Sequence, residues 1–182
     1  MTKDKKVILL DIDDTLAPYS KNFHYISKHV FGYDFPPPSD WRWHTISKII
    51  GREKYIEIMM ATLNKINNSP PFSESVYFTH LLKEKGYDIC VLTHRPTDLY
   101  DQTKRWLEEY NFAYDNLIVT DQPKYIFSDY NTVALYDDAP HTLKDFKKKR
   151  PHVKLFARKM RYNKDIKGVQ RFTSLLDTIE FL

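Results

Sequence analysis

Cysteine is nearly absent from this chain, which has one, Cys90, in 182 residues. A lone thiol cannot close an intramolecular disulfide, which excludes a small secreted scaffold held by cross-links. Cys90 stands in the apolar run Asp88–Leu92, so a buried, inert thiol is expected, and with it a reducing cytoplasm. Glycine is also scarce, with four residues. Long apolar runs are missing, so neither a signal peptide nor a membrane span is expected. No repeat or low-complexity tract interrupts the chain. Charge of one sign is not in large excess either. The formal net charge is +4, compatible with an anionic substrate but no argument for nucleic acid by itself.

What is present fits an ordinary globular protein: 42% hydrophobic and 29% charged residues, enough for one well-cored domain. The most informative stretch is Val7-Ile8-Leu9-Leu10-Asp11-Ile12-Asp13-Asp14-Thr15. Four apolar residues in a row read as a strand buried in a parallel sheet. Three carboxylates follow at once, at the point where the chain leaves that sheet. Packed carboxylates repel one another and lose solvation. A divalent cation resolves the conflict, and Mg2+ takes such hard oxygen ligands together with a substrate phosphate. Open α/β sheets bind their ligands at this carboxyl end of the strands.

Apolar runs and amphipathic stretches then alternate, predicting a doubly wound, Rossmann-like α/β fold with a parallel sheet. Further strands are expected at Asp88–Leu92, Asn116–Val119, Thr132–Tyr136 and Val153–Phe156. Helices are expected at Ser73–Gly86, Thr97–Tyr110, Pro140–Arg150 and, closing the chain, Thr173–Leu182. Gly86 suits a C-cap and Pro140 a first helical turn. The segment from Tyr19 to Pro71 breaks this alternation. It carries helical periodicity over Phe23–Phe31 and Ile46–Ile66, divided by a rigid turn at Pro36-Pro37-Pro38. The expected organisation is a core of residues 1–18 and 72–182, with residues 19–71 as a helical cap over the mouth of the site.

Three more strand ends carry chemistry. Val91-Leu92-Thr93-His94-Arg95 puts a hydroxyl at the end of the second strand, before a helix whose N-terminus favours anions. Thr93 there either contacts phosphate or caps the helix region. Arg95 offers a fork that matches phosphate or a base edge, whereas His94 is an exposed loop histidine beside it. Val133-Ala134-Leu135-Tyr136-Asp137-Asp138 repeats the opening theme of an apolar strand ending in paired acids. Lys124 lies between them in a polar loop. Asp14 either caps its loop or adds a metal ligand.

In this order of acid, hydroxyl, lysine and acid pair, the sequence resembles the haloacid dehalogenase-like (HAD) phosphohydrolase superfamily. That family's pattern is DxDx[TV] after the first strand, Ser or Thr after the second, a Lys, then paired acids. The resemblance implies that Asp11 is the nucleophile that forms an aspartyl-phosphate, and that Asp13 is the general acid and base. It implies Mg2+ held by Asp11, the backbone carbonyl of Asp13 and the acids Asp137 and Asp138, with Asp138 the more direct ligand. Thr93 and Lys124 would hold the phosphoryl oxygens.

Within the superfamily the chain looks closest to the 5'(3')-deoxyribonucleotidase branch, which implies a small phosphorylated substrate, a nucleotide. The cap suits that reading, because Trp41-Arg42-Trp43 sets two indoles about a guanidinium, and a stacked base gains roughly 1–3 kcal/mol. Equally, the cap aromatics could simply form its core. Three alternatives stay open. The basic residues Lys144, Lys147–Arg150 and Arg158–Tyr162 would serve a phosphatase of nucleic acid ends, and another small phosphorylated metabolite could take the place of the nucleotide. A non-catalytic HAD-like domain would bind its ligand without turnover.

Overall fold

The computed structural model describes residues 5–35 and 43–182, apart from the side chains of Trp43 and His44. The expected rigid turn at Pro36–Pro38, and Trp41, lie outside the described residues. Six strands form one sheet: β1 (Val7–Leu10), β2 (Asp88–Thr93), β3 (Asn116–Val119), β4 (Thr132–Tyr136), β5 (Lys154–Arg158) and β6 (Gln170–Phe172). Their spatial order is β3-β2-β1-β4-β5-β6, and every pairing is parallel. This is the expected doubly wound α/β fold, and its topological switch point lies between β1 and β4.

The central strands are apolar throughout because both of their faces are covered. Ile8, Leu10, Ile89, Val91, Ala134 and Tyr136 point to one face, and Val7, Leu9, Cys90, Leu92 and Leu135 to the other. Period-two alternation thus splits a continuous apolar run into two cores. The first core is covered by α4 (Ser75–Glu84) and α5 (Tyr100–Glu109), through Phe78, Leu82, Trp106 and Leu107. The second is covered by α6 (Pro140–Lys149), through Leu143 and Phe146. Pro140 sits in the first turn of α6, as expected.

Between β1 and α4 run α1 (Tyr19–His29), α2 (Trp43–Ile50) and α3 (Arg52–Asn67). On α1 the buried positions are Tyr19, Phe23, Ile26 and Ser27. On α3 they are Ile58, Thr62, Leu63 and Ile66. Both sets fall on a single helical stripe. These side chains join the first core rather than forming one of their own. The chain returns beside its point of departure, where the Phe72 N–H and the Ser75 hydroxyl both donate to the carbonyl of Leu16, at 2.9 and 3.0 Å.

Three expectations need correction. The periodic stretch Ile46–Ile66 is two helices, because Gly51 adopts φ +85°, ψ 152° between them, a conformation open essentially to glycine alone. The C-terminal helix is a 3-10 helix, Leu175–Phe181, whose three-residue period buries Leu175 and Thr178 in line. Strand β6 had no apolar run to mark it, because only Phe172 of its three residues is buried. Among the described residues no helix is long and apolar enough to cross a membrane.

Gly51→Ala should lower stability by about 1–3 kcal/mol, although nothing lies within 4 Å of the added methyl. Urea unfolding checks this, and an unchanged midpoint would show that the α2–α3 junction tolerates another backbone conformation.

Candidate active site

The carboxyl ends of β1 and β4 are adjacent because Leu10 pairs with Tyr136. The next residues, Asp11 and Asp137, therefore leave the sheet side by side at the switch point. The Asp11 N–H still donates to Tyr136 O at 2.9 Å. Lys124 enters from a 3-10 turn, Lys124–Phe127, that follows β3. Its ammonium lies 2.7 Å from Asp11 Oδ1 and 2.7 Å from Asp137 Oδ2. All three side chains are buried. Burial alone would lower the Lys124 pKa, but the charges of Asp11 and Asp137 outweigh it and raise it.

Asp138 stands beside this trio, and one oxygen each of Asp11, Asp137 and Asp138 lies within 4.8 Å of the others. Burial pushes Asp11 up to about 7, against the pull of Lys124 and with help from Asp137 and Asp13. Burial, with Asp14, Asp137 and Asp11 nearby, holds Asp138 well above the carboxylate range. One ammonium does not neutralise three buried acids, and the donor set is all hard oxygen, so a divalent cation fits the residues present. Asp137 has little left to offer, since its Oδ1 accepts from the Ala139 N–H at 2.8 Å and its Oδ2 from Lys124. Asp11 and Asp138 are the better placed ligands.

Asp13 lies apart from that cluster. Its carboxylate sits in the fork of Arg95, with Nε at 3.0 Å from one oxygen and Nη2 at 2.8 Å from the other. Arg95 is buried. It also donates to Asn67 at the end of α3, at 2.8 Å, and to Thr103 on α5 at 3.3 Å, and lies over the Trp106 ring. The fork expected to meet substrate is thus spent on Asp13. Asp14, with φ +57°, caps the entry to α1: the Ser20 N–H donates to its Oδ1 at 2.9 Å, and the Ser20 hydroxyl to its Oδ2.

A pocket of about 160 Å³ opens over these groups. Asp11, Asp13, Thr93, Lys124 and Asp138 line its base, and Tyr19, Tyr55, Met59 and Leu63 of α1 and α3 line its wall. His94 is at the rim, where its Nε2 donates to Gln122 O at 3.0 Å and its ring stacks on that of His141, with centroids 6.0 Å apart. Trp43 begins α2, but its side chain, like Trp41, lies outside the described residues.

Sequence reasoning missed five contributors. His141, Tyr19 and Tyr55 line the pocket without any motif to mark them. Tyr162 donates its hydroxyl to Asp138 and reaches Asp14 at 3.3 Å. Its neighbour Asn163 holds the Asp138 backbone carbonyl at 3.1 Å. In the basic-aromatic run Arg158–Tyr162 it is the tyrosine that contacts the acids.

A parallel sheet whose switch point gathers acids from two strands and a lysine from a third defines a Rossmann-like hydrolase of the HAD type. The chain belongs to the HAD superfamily, subfamily IIIB (acid phosphatase), whose family model matches residues 1–152. Solved structures agree on the fold. A haloacid dehalogenase-like hydrolase from Streptococcus pneumoniae is 10% identical over 97% of this chain and 98% of its own, with a TM-score of 0.68. A protein described as a predicted phosphatase from Clostridium acetobutylicum is 13% identical over 97% of each chain, with a TM-score of 0.67. The HAD hydrolase YfnB from Bacillus subtilis, solved with magnesium bound, is 12% identical over 99% of each chain, with a TM-score of 0.63. No curated protein matches the chain in sequence.

The raised acids make the metal-free protein sensitive to pH. Asp11 titrates near 7 and Asp14 near 6 when folded, against roughly 3.9 when unfolded. A carboxyl raised in this way favours the folded state most below its unfolded pKa, and that contribution is lost as pH rises through the folded value. His94 and His141, which burial lowers, work in the opposite sense near pH 6. With EDTA, the acids should make the protein less stable at pH 8 than at pH 5. Mg2+ should restore stability at pH 8, and Asp138→Asn should shrink the difference. Thermal unfolding measures this, and a melting temperature at pH 8 indifferent to Mg2+ would count against a cation at these acids.

Proposed function

We propose that the chain is a magnesium-dependent phosphomonoesterase that works through an aspartyl-phosphate on Asp11, with a nucleoside monophosphate as substrate. The observation that carries this reading is the buried Lys124 ammonium shared by Asp11 and Asp137, with Asp138 alongside, at the base of a pocket. An acid that must attack an anionic phosphate needs its own charge offset, and Lys124 supplies part of that offset.

In the first step a carboxylate oxygen of Asp11 attacks phosphorus in line, and the bond to the leaving oxygen breaks. Asp13 delivers its proton to that oxygen. In the second step Asp13 takes a proton from water, which attacks the aspartyl-phosphate and releases inorganic phosphate. Thr93 and Lys124 hold the phosphoryl oxygens. Arg95 takes both oxygens of Asp13 as a carboxylate, so Asp13 gains the proton it delivers only when one oxygen leaves that fork. Asp11, Asp138 and the backbone carbonyl of Asp13 are the groups that would hold Mg2+, which when bound supplies charge neutralisation and Lewis acidity at the phosphoryl group.

Residues 19–71 serve as the cap, since α1 and α3 furnish the aromatic and apolar wall of the pocket. At about 160 Å³ the cavity is smaller than the roughly 300–1,000 Å³ that enclose a whole small ligand. It suits the phosphoryl head and its ester, leaving the rest of the substrate at the rim. The stacked His94–His141 pair there, with Tyr19 and Tyr55 inside, favours a flat base.

Asp11→Asn should lower phosphate release by roughly a thousandfold or more while leaving the protein folded, because Lys124 keeps its ion pair with Asp137. EDTA should silence the wild type and Mg2+ revive it. Phosphate release from nucleoside monophosphates, sugar phosphates and phosphorylated oligonucleotides, with and without Mg2+, reads all of this. Preference for sugar phosphates would reject the nucleotide and keep the phosphatase, whereas full activity of Asp11→Asn would reject the nucleophile.

A further inference from the structure

A second pocket, of about 340 Å³, lies between the first turns of α1 and the segment that follows β5. It is larger than the one over the acids, and its chemistry is opposite. Lys21 and His24 of α1 face Lys159 and Arg161 across it, with Ser20 and Tyr162 also in its lining. No carboxylate lines it. Among the described residues, neither Lys21, Lys159 nor Arg161 has an ion-pair or hydrogen-bond partner for its side-chain charge. Three cations and a histidine brought from distant parts of the chain onto one concavity repel one another, and an anion between them would relieve that repulsion.

We propose that this basic pocket is a binding site for a small, multiply charged phosphate anion, separate from the site over Asp11 and Asp138. Its shape decides the class of ligand. A concavity of this volume is on the scale of small-ligand pockets, whereas a nucleic acid backbone is tracked by an open charged groove. Its lining decides that the site is separate. Ser20 and Tyr162 both turn their hydroxyls onto buried Asp14, and the two pockets share no lining residue. The same Tyr162 hydroxyl donates to Asp138, so a bound anion would rest one hydrogen bond away from that acid.

The test is calorimetric titration of the metal-free protein with inorganic pyrophosphate. The Lys159 and Arg161 variants distinguish binding here from binding over the acids, because neither residue lines that pocket. The wild type should bind pyrophosphate. Replacing both Lys159 and Arg161 by Ala should weaken binding by roughly tenfold or more, since charge-assisted contacts are lost. Lys159→Arg with Arg161→Lys, which keeps the charge, should retain it. Removing the same charge elsewhere, with Lys144→Ala and Lys148→Ala on the exposed face of α6, should leave affinity within about twofold. Absence of binding to the wild type, or equal loss in the two alanine pairs, would overturn the proposal. A single-stranded oligonucleotide that binds more tightly than pyrophosphate, and is lost in the same variant, would overturn it in favour of a nucleic acid surface. The measurement involves neither metal nor turnover, so its outcome is independent of whether the chain hydrolyses phosphate esters.

Discussion

Four acids converge at the carboxyl edge of β1 and β4, and the way their charge is shared out is the constraint that the rest of the structure serves. Lys124 takes Asp11 and Asp137 at 2.7 Å each. Arg95 takes Asp13, and Tyr162 supports Asp138. Removing one partner of a buried charge pair costs about 3–5 kcal/mol, mostly because the other is stranded. Each acid is therefore tied to its place by a partner from a different part of the chain. The arrangement remains short of positive charge, as the raised pKa values of Asp11 and Asp138 record. A site deficient in cations and rich in hard oxygens is suited to a divalent metal together with an incoming phosphate.

The fold delivers this convergence through strand order. Chain growth runs outward from β1 to β3, crosses back to β4 and runs outward again. The two strands flanking the reversal end side by side, and only there do their terminal residues meet without an intervening helix. The helices between β1 and α4 share the main core with the sheet and also furnish one wall of the pocket. Arg95 binds this segment to the acids, because the same guanidinium holds Asp13 and Asn67. Orientation of Asp13 and the seating of α3 are thus mechanically linked.

Two neighbouring concavities of opposite sign give the molecule a polarity that its net charge of +4 conceals. The acid-lined pocket is small and partly walled by aromatic rings, and the basic one is wider. Tyr162 belongs to both neighbourhoods, lining the second while holding an acid of the first.

Much of this was legible in the residues. Val7–Leu10, Asn116–Val119 and Thr132–Tyr136 are strands at the positions their apolar runs indicate; for the central pair, β1 and β4, burial on both faces demands continuous hydrophobicity, whereas β3 is a half-buried edge strand. The acid motifs also stood out, since carboxylates directly after a buried strand are costly without a role. Periodicity could not split α2 from α3, because the break depends on the backbone angles of Gly51 alone. Nor could it find β6, which sits at the edge and buries one side chain of three.

The sequence by itself determined which residues are buried, and so the strands, the sheet and the acids at its edge, because local hydrophobic pattern reports burial directly. Only the tertiary structure decided the partners. Arg95 faces Asp13 across 82 positions and Lys124 faces Asp11 across 113, and no local pattern encodes a contact that exists only once the sheet has assembled.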